Sequence, residues 1–177
     1  MDRIISGYSE LPKTESLHRR NKVATYVHWN ICKNSEVAEK WYGHNPETVI
    51  NTGSTTVTWG MPVHTDSDIK ANRPDIVVKR KDEKSCPLIE VSIPGDKNTS
   101  VKVVEKLSKY KDLEIEIERM WGMKITTVPV VIGALVVIKK GTEKFMKKIP
   151  WNIRLQELQK ATLLGIALIL WKVLAVK

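Results

Sequence analysis

The sequence is poor in cysteine, with Cys32 and Cys86 alone among 177 residues. Two thiols cannot form the disulfide framework that stabilises small secreted proteins, so we expect an intracellular, reducing compartment. The start of the chain also lacks the pattern of a signal peptide, since Met1-Asp2-Arg3 runs directly into polar sequence. Intrinsic disorder is excluded too, because apolar residues make up 42% of the chain and Trp occurs six times.

Long apolar runs are scarce, and the candidate for a membrane span is the eleven-residue stretch Ala161–Trp171. As a helix it would span about 16 Å, at about 1.5 Å per residue, whereas a bilayer core requires about 20 apolar residues. Lys160 and Lys172 bracket the run. We therefore expect a buried packing helix and no membrane partner.

The charge of the chain is unevenly distributed. The net charge is +9, yet residues 1–70 hold eight basic and eight acidic side chains, while residues 71–177 hold 21 basic and 12 acidic ones. The surplus in the second part predicts an anionic partner for that part. The alternative is that its basic helices are simply well solvated, and the charge alone does not decide between the two.

The order of predicted elements indicates an α/β protein with a mixed central β-sheet flanked by helices. We assign residues 1–55 to an N-terminal helical segment and 56–177 to a core domain. The predicted helices are 14–34, 36–42, 98–121, 142–148 and 153–176, residues 45–55 form a loop, and the predicted strands are 56–59, 75–80, 86–93 and 124–135, the last with an extension through 138.

Two acidic residues lie on the predicted hairpin. Asp75 opens one strand, and Glu90, after 14 intervening residues, lies in the next strand between Ile89 and Val91. Two carboxylates on neighbouring strands repel each other unless a cation lies between them, and Mg²⁺ accepts one or two carboxylates together with phosphate oxygens. Such an ion could activate water to attack a phosphodiester. The alternative is structural: Asp75 caps the strand and Glu90 pairs with a lysine.

The Pro-Asp, spacer and Glu pattern on a hairpin followed by a helix resembles the PD-(D/E)XK nuclease superfamily. The lysine of that superfamily normally stands two residues after the second acid, where this chain has Ser92. A variant with the lysine on the following helix occurs in the restriction-like endonuclease of site-specific non-LTR retrotransposons, which this chain resembles over nearly its whole length. The matching motifs are His28–Cys32, Trp41–His44, Arg73–Val78, Ile93–Asp96, Glu105–Tyr110 and Pro129–Ala134.

This resemblance implies a restriction-endonuclease-like core and an enzyme that nicks double-stranded DNA in the nucleus for target-primed retrotransposition, with Mg²⁺ or Mn²⁺ as cofactor. It implies that Asp75 and Glu90 bind the metal. Lys106 would place positive charge beside the scissile phosphate, with Lys109 as the competing choice. The same two lysines could instead be the solvated side of an amphipathic helix. The basic residues expected to contact DNA are Arg73, Lys79, Arg80 and Lys102.

The N-terminal part of the sequence contains a second, weaker candidate for a metal site. His28 and Cys32 are four residues apart on a predicted helix and share a face, and His44 follows. These three could ligate Zn²⁺, although structural zinc sites nearly always have four ligands. We expect no zinc; the alternative is that His28 and Cys32 pack and form hydrogen bonds where this helix meets the core.

The first residues resemble the tail of the Cys-Cys-His-Cys zinc knuckle that precedes the nuclease in this family. Arg3 and Tyr8 stand where the family has its final His and Cys, so the knuckle is degenerate over residues 2–11. With no reverse transcriptase domain in the chain, we interpret it as a C-terminal fragment or a decayed or domesticated copy. Two other functions stay open: non-catalytic nucleic-acid binding with the same fold, and protein interaction through helix 153–176.

Overall fold

The computed structural model describes residues 13–33, 40–138, 140–149 and 151–175. These residues form a five-stranded mixed sheet flanked by helices, which confirms the predicted fold class. The strands follow one another in space in chain order; the first four are antiparallel, and the fifth runs parallel to the fourth. They are β1 (Val49–Thr52), β2 (Thr55–Trp59), β3 (Ile76–Arg80), β4 (Ser85–Ser92) and β5 (Lys124–Val131).

Within the described part of the chain, five α-helices accompany the sheet. They are α1 (Lys13–Cys32), α2 (Thr99–Lys109), α3 (Lys111–Trp121), α4 (Thr142–Met146) and α5 (Leu155–Ala175). Short 3₁₀ turns occur at Trp41–Gly43 and Asp96–Asn98. The parallel connection between β4 and β5 passes through α2 and α3, because parallel neighbours require a long crossover.

The two faces of the sheet bury separate apolar clusters. Ile89 and Val91 of β4 pack with α1 and α5, whereas Leu88 packs with Leu113 and other residues of α3. This division follows from the alternation of side chains along a strand. β5 is buried from Thr127 to Val131, as its continuous apolar sequence predicted.

Helices α1 and α5 cross closely on the first face. A Cβ atom added to Gly165 of α5 would lie 2.8 Å from Arg19 Cγ and 3.0 Å from Arg19 Cα. Glycine therefore permits the close approach of the two helices. Because α1 contributes buried residues such as Val23 and Val27 to the same cluster as the sheet, the described part of segment 1–55 shares its core with the domain assigned to residues 56–177.

Apart from shifts of one or two residues at the ends of elements, three features differ from the sequence-based prediction. Strand β1 lies within residues 45–55, which were wrongly predicted as loop; it is an edge strand with Val49, Asn51 and Thr52 exposed, so it lacks the apolar alternation that marks a half-buried strand. The single helix expected over 98–121 is two helices with a break at Tyr110.

The third difference lies after β5, which ends at Val131 instead of continuing to residue 135 or 138. The chain turns there, because the Val136 amide donates to the Gly133 carbonyl and the Gly133 amide donates to the Val137 carbonyl. Val136 has a φ of 69°, a conformation that a β-branched residue rarely adopts, and this explains why the apolar run did not reveal the turn. Residues 2–11, where the sequence suggested a degenerate zinc knuckle, and most of predicted helix 36–42 lie outside the described residues.

Candidate active site

The β3–β4 hairpin brings the two predicted acids together. Ile76 is paired with Ile89, so continuing the same antiparallel register by one residue places Asp75 beside Glu90. Directly opposed residues have Cβ atoms about 4.5–5.5 Å apart and point to the same face. Both acids are buried, with 8% of Asp75 and 2% of Glu90 exposed.

Asp75 is held from two sides. One carboxylate oxygen accepts a hydrogen bond from the Arg20 guanidinium of α1, and the other accepts one from the Val91 amide at 2.8 Å. Burial raises the pKa of Asp75 above its ordinary value, and the nearby negative charge of Glu90 raises it further. Arg20 and the Val91 amide offset these effects only in part, so the ionised form of Asp75 is costly in the folded protein.

Glu90 lies in a cationic environment. Its Oε1 accepts hydrogen bonds from Lys106 Nζ at 2.6 Å and Lys109 Nζ at 3.4 Å, and its Oε2 lies 2.9 Å from Tyr110 Oη. Burial alone would raise the pKa of Glu90, but the hydrogen bond and charge of Lys106, with the charge of Lys109, hold it below the ordinary value. Glu90 is therefore ionised at neutral pH.

The two candidate lysines are not equivalent. The Lys106 side chain is partly buried, with 15% of its surface exposed, and makes the shorter contact with Glu90. The Lys109 side chain is 43% exposed. Lys109 Nζ also donates to Tyr110 Oη at 2.8 Å. The geometry thus distinguishes Lys106, directed at the buried carboxylate, from Lys109 at the rim of the site.

Tyr110 is a site residue that the sequence patterns did not single out for chemistry. It is fully buried at the break between α2 and α3, and its hydroxyl lies within hydrogen-bonding distance of both Glu90 Oε2 and the Arg73 carbonyl oxygen, the latter at 3.1 Å. Burial and the negative charge of Glu90 raise the pKa of Tyr110, so the hydroxyl remains a donor. The only signal in the sequence was a hydroxyl-bearing residue on an otherwise apolar helix face.

Arg20 is the second residue that sequence reasoning missed. It reaches Asp75 from α1, and the two residues line a cleft of about 400 Å³ together with Arg73, Trp59 and Asn21. Arg73 itself is exposed, and its Nε donates to the Gly60 carbonyl. No local pattern identifies Arg20, since it is one of several basic residues on an amphipathic helix.

The donor set suits a hard divalent ion. A carboxylate has about four lone-pair positions. Asp75 accepts two hydrogen bonds and Glu90 three, so lone pairs remain on both. Two carboxylates are the protein ligands that Mg²⁺ typically takes, the remainder being water and substrate oxygens. Among the residues described, no group of three or more His, Cys, Asp or Glu side chains could hold a metal ion.

The four residues predicted to bind DNA are dispersed. Arg73 lies beside the acids, and Lys102 pairs with Glu105 at 2.5 Å on α2, the helix that carries Lys106. Lys79 and Arg80 lie further along β3 and point to opposite faces: Lys79 Nζ is 4.0 Å from the Trp121 ring centroid, and Arg80 lies 5.8 Å from that of Trp151. These two residues therefore do not share one surface.

His28, Cys32 and His44 form a packed polar cluster. His28 Nδ1 lies 2.8 Å from His44 Nε2, while Cys32 Sγ lies 3.7 Å from the other ring nitrogen of His28. Because a histidine binds an ion through one nitrogen, these neighbours on opposite sides of the ring do not surround a common point. His28 also meets Trp59 edge to face, at 5.4 Å between centroids. The geometry does not favour zinc.

Helix α5 leaves part of its apolar surface uncovered. Leu163, Leu164, Leu168 and Trp171 are between 44% and 66% exposed, while Leu158 and Ala161 are buried against the sheet. This is the feature that a protein-interaction role would use. Across the described ranges, no helix is both long enough and apolar enough to cross a bilayer.

Comparison with known proteins does not extend these observations. No protein-family model matches the chain, and no curated protein matches it either.

Proposed function

We propose that the protein is a metal-dependent DNA endonuclease whose site is built from Asp75, Glu90 and Lys106. The observation that supports the proposal is the buried pair of carboxylates on adjacent strands, with a lysine 2.6 Å from one of them. Burying two acids side by side is costly for stability, so such a pair favours a chemical role over a structural one.

In this proposal Asp75 and Glu90 hold Mg²⁺ or Mn²⁺, which when bound would lower the pKa of water and stabilise charge on the phosphoryl oxygens. Lys106 supplies a fixed positive charge where negative charge develops on the phosphate. Tyr110 orients Glu90, and Arg73 contacts the DNA backbone. Water adds across the bond between phosphorus and O3′, so its oxygen enters the new 5′-phosphate and a proton ends on the 3′-hydroxyl.

The role of such an enzyme in nicking nuclear DNA for target-primed retrotransposition is part of the same proposal. It draws on the resemblance of the motifs and on the positive surplus of residues 71–177. A 3′-hydroxyl is the end that a polymerase extends. Because DNA binding would depend on phosphate contacts, we expect the affinity to fall steeply as salt increases.

A plasmid-nicking assay tests the proposal. Supercoiled DNA is incubated with the protein and Mg²⁺ or Mn²⁺, beside the variants Asp75→Asn and Glu90→Gln. We expect either change to abolish nicking without abolishing DNA binding. The control is Glu118→Gln, which removes an exposed acid from α3 and should nick like the unmodified protein. Nicking that survives in both acid variants would exclude the two-carboxylate site.

One observation favours a second candidate, non-catalytic nucleic-acid binding. Arg20, Lys106 and Lys109 place three positive charges against the two carboxylates, so the cluster carries one excess positive charge without a metal ion. DNA binding that is independent of Mg²⁺ and never leads to nicking would favour this candidate. Absence of DNA binding at moderate salt would instead favour protein interaction through the exposed face of α5.

A further inference from the structure

Arg20 forms an ion pair with Asp75, one of the two carboxylates that would bind the proposed metal ion. Its guanidinium donates to Asp75 Oδ1 from α1, and the two residues are 55 positions apart in the chain. The Asp75 side chain is only 10% exposed, so this pairing is formed largely away from water.

A divalent ion bound to Asp75 would therefore lie close to a second cation. Like charges disfavour each other strongly where solvent screening is weak. Metal binding alone then requires either that Arg20 leave Asp75 or that the two positive charges remain adjacent. An anion placed between the metal ion and Arg20 offsets their repulsion, because it attracts both positive charges.

Arg20 has the spare hydrogen-bonding capacity to bind such an anion. A guanidinium has five N–H donors, and Arg20 Nε is buried without a hydrogen-bond partner among the described residues. Its side chain is 36% exposed toward the cleft that it shares with Arg73. Guanidinium groups match the paired oxygens of a phosphate, and two arginines at one cleft suit a phosphodiester.

We propose that Arg20 is a positioning residue that couples metal binding to phosphodiester binding. Without substrate it stays on Asp75 and weakens the affinity of the site for a divalent ion. When a phosphodiester enters the cleft, Arg20 turns to the phosphate oxygens and Asp75 becomes available to the ion. This inference rests on the proposed metal-dependent function and adds the order in which the site is assembled.

Thermodynamic linkage makes the proposal measurable, since a ligand that strengthens metal binding is itself bound more strongly when the metal is present. Mn²⁺ binding to the full chain is followed by calorimetry, with and without dimethyl phosphate, a phosphodiester that carries a single negative charge and no nucleoside. We expect dimethyl phosphate to tighten Mn²⁺ binding about tenfold, within the usual range of coupling between sites.

The variant Arg20→Gln removes the competing cation. We expect it to bind Mn²⁺ about tenfold more tightly than the unmodified protein without dimethyl phosphate, and to lose most of the response to that compound. Arg20→Lys keeps the positive charge with fewer hydrogen-bond donors, so it should bind Mn²⁺ as weakly as the unmodified protein. If Arg20→Gln does not fold, Arg20→Lys provides the second test, because its response to dimethyl phosphate should be reduced. Lys22→Gln is the matched control, because it removes a positive charge from the same helix.

The outcomes separate this inference from the proposed function. If Arg20→Gln binds Mn²⁺ no more tightly than the unmodified protein and keeps its response to dimethyl phosphate, the coupling role is excluded, while nicking that depends on Asp75 and Glu90 would leave the nuclease proposal standing. If the unmodified protein and Arg20→Gln both fail to bind Mn²⁺ at millimolar concentrations, the metal site itself is excluded.

Discussion

Lys106 Nζ lies 2.6 Å from Glu90 Oε1, so a lysine on helix α2 and a carboxylate on strand β4 form a partly buried ion pair across 16 positions of the chain. Two residues after Glu90 the strand carries Ser92, which has no charge. The positive charge beside Glu90 therefore comes from the helix and not from its own strand.

The first prediction separates the two lysines. Lys106→Met should lower nicking by about 100-fold or more, because losing one fixed group that stabilises transition-state charge typically costs two to three orders of magnitude. Lys109→Met should lower it by less than about tenfold, since its side chain is 43% exposed. Single-turnover nicking rates at saturating protein provide the comparison, with Lys111→Met, an exposed lysine at the start of α3, as the control. A larger loss from Lys109→Met would reverse the assignment.

The second prediction concerns the Tyr110 hydroxyl. Tyr110→Phe removes the donor at 2.9 Å from Glu90 Oε2 and should lower the free energy of unfolding by about 1.5–3 kcal/mol, the usual contribution of a hydrogen bond to a charged group. The pKa of Glu90 should rise, because a hydrogen bond to its ionised form is lost. Chemical denaturation and NMR titration of the Glu90 carboxyl measure the two effects; an unchanged pKa would contradict the contact.

The third prediction follows from the raised pKa of Asp75. A carboxyl whose pKa is raised on folding favours the folded state at low pH, and this contribution is lost as pH rises through the raised value. Asp75→Asn should therefore stabilise the protein at pH 7. Each 1 kcal/mol of added stability would raise Tm by about 2–4 °C in a protein of this size.

This gain should disappear near pH 3, where the Asp75 carboxyl is protonated in the folded and unfolded protein alike. Thermal unfolding across the pH range provides the measurement, and Asp82→Asn, at an exposed turn position, is the control. A lower Tm for Asp75→Asn at pH 7 would mean that pairing with Arg20 outweighs the cost of burial.

The fourth prediction concerns His28. Burial, and then the charge of His44, lower the pKa of His28 to about 4. A histidine with a lowered pKa stabilises the folded state above pH 6.5, and this contribution is lost as pH falls toward 4. The loss amounts to at most about 3.5 kcal/mol, at about 1.4 kcal/mol per pKa unit between 6.5 and about 4.

His28→Asn should therefore be less stable than the unmodified protein at pH 7.5 and lose less stability on acidification to pH 4.5. Urea unfolding at a series of pH values measures this slope, with the exposed His64→Asn as the control. An unchanged slope in His28→Asn would show that other groups determine the acid sensitivity.

Local patterns in the sequence predicted four of the five strands described and the position of the acid pair, because a hairpin fixes the neighbours of its residues through short-range register. They did not predict Arg20, which reaches Asp75 through the packing of α1 on the sheet. Nor did they predict the chemical role of Tyr110, since the break between α2 and α3 occurs in a segment with continuous helical periodicity. Contacts that depend on tertiary packing leave little trace in local sequence.

The most direct test of a shared metal site is a crystal structure of the full chain grown with Mn²⁺ and analysed for anomalous scattering. We expect one Mn²⁺ ion in contact with carboxylate oxygens of both Asp75 and Glu90. An ion bound elsewhere, or an acid pair without Mn²⁺ in crystals of a protein that nicks DNA in the same buffer, would contradict this assignment.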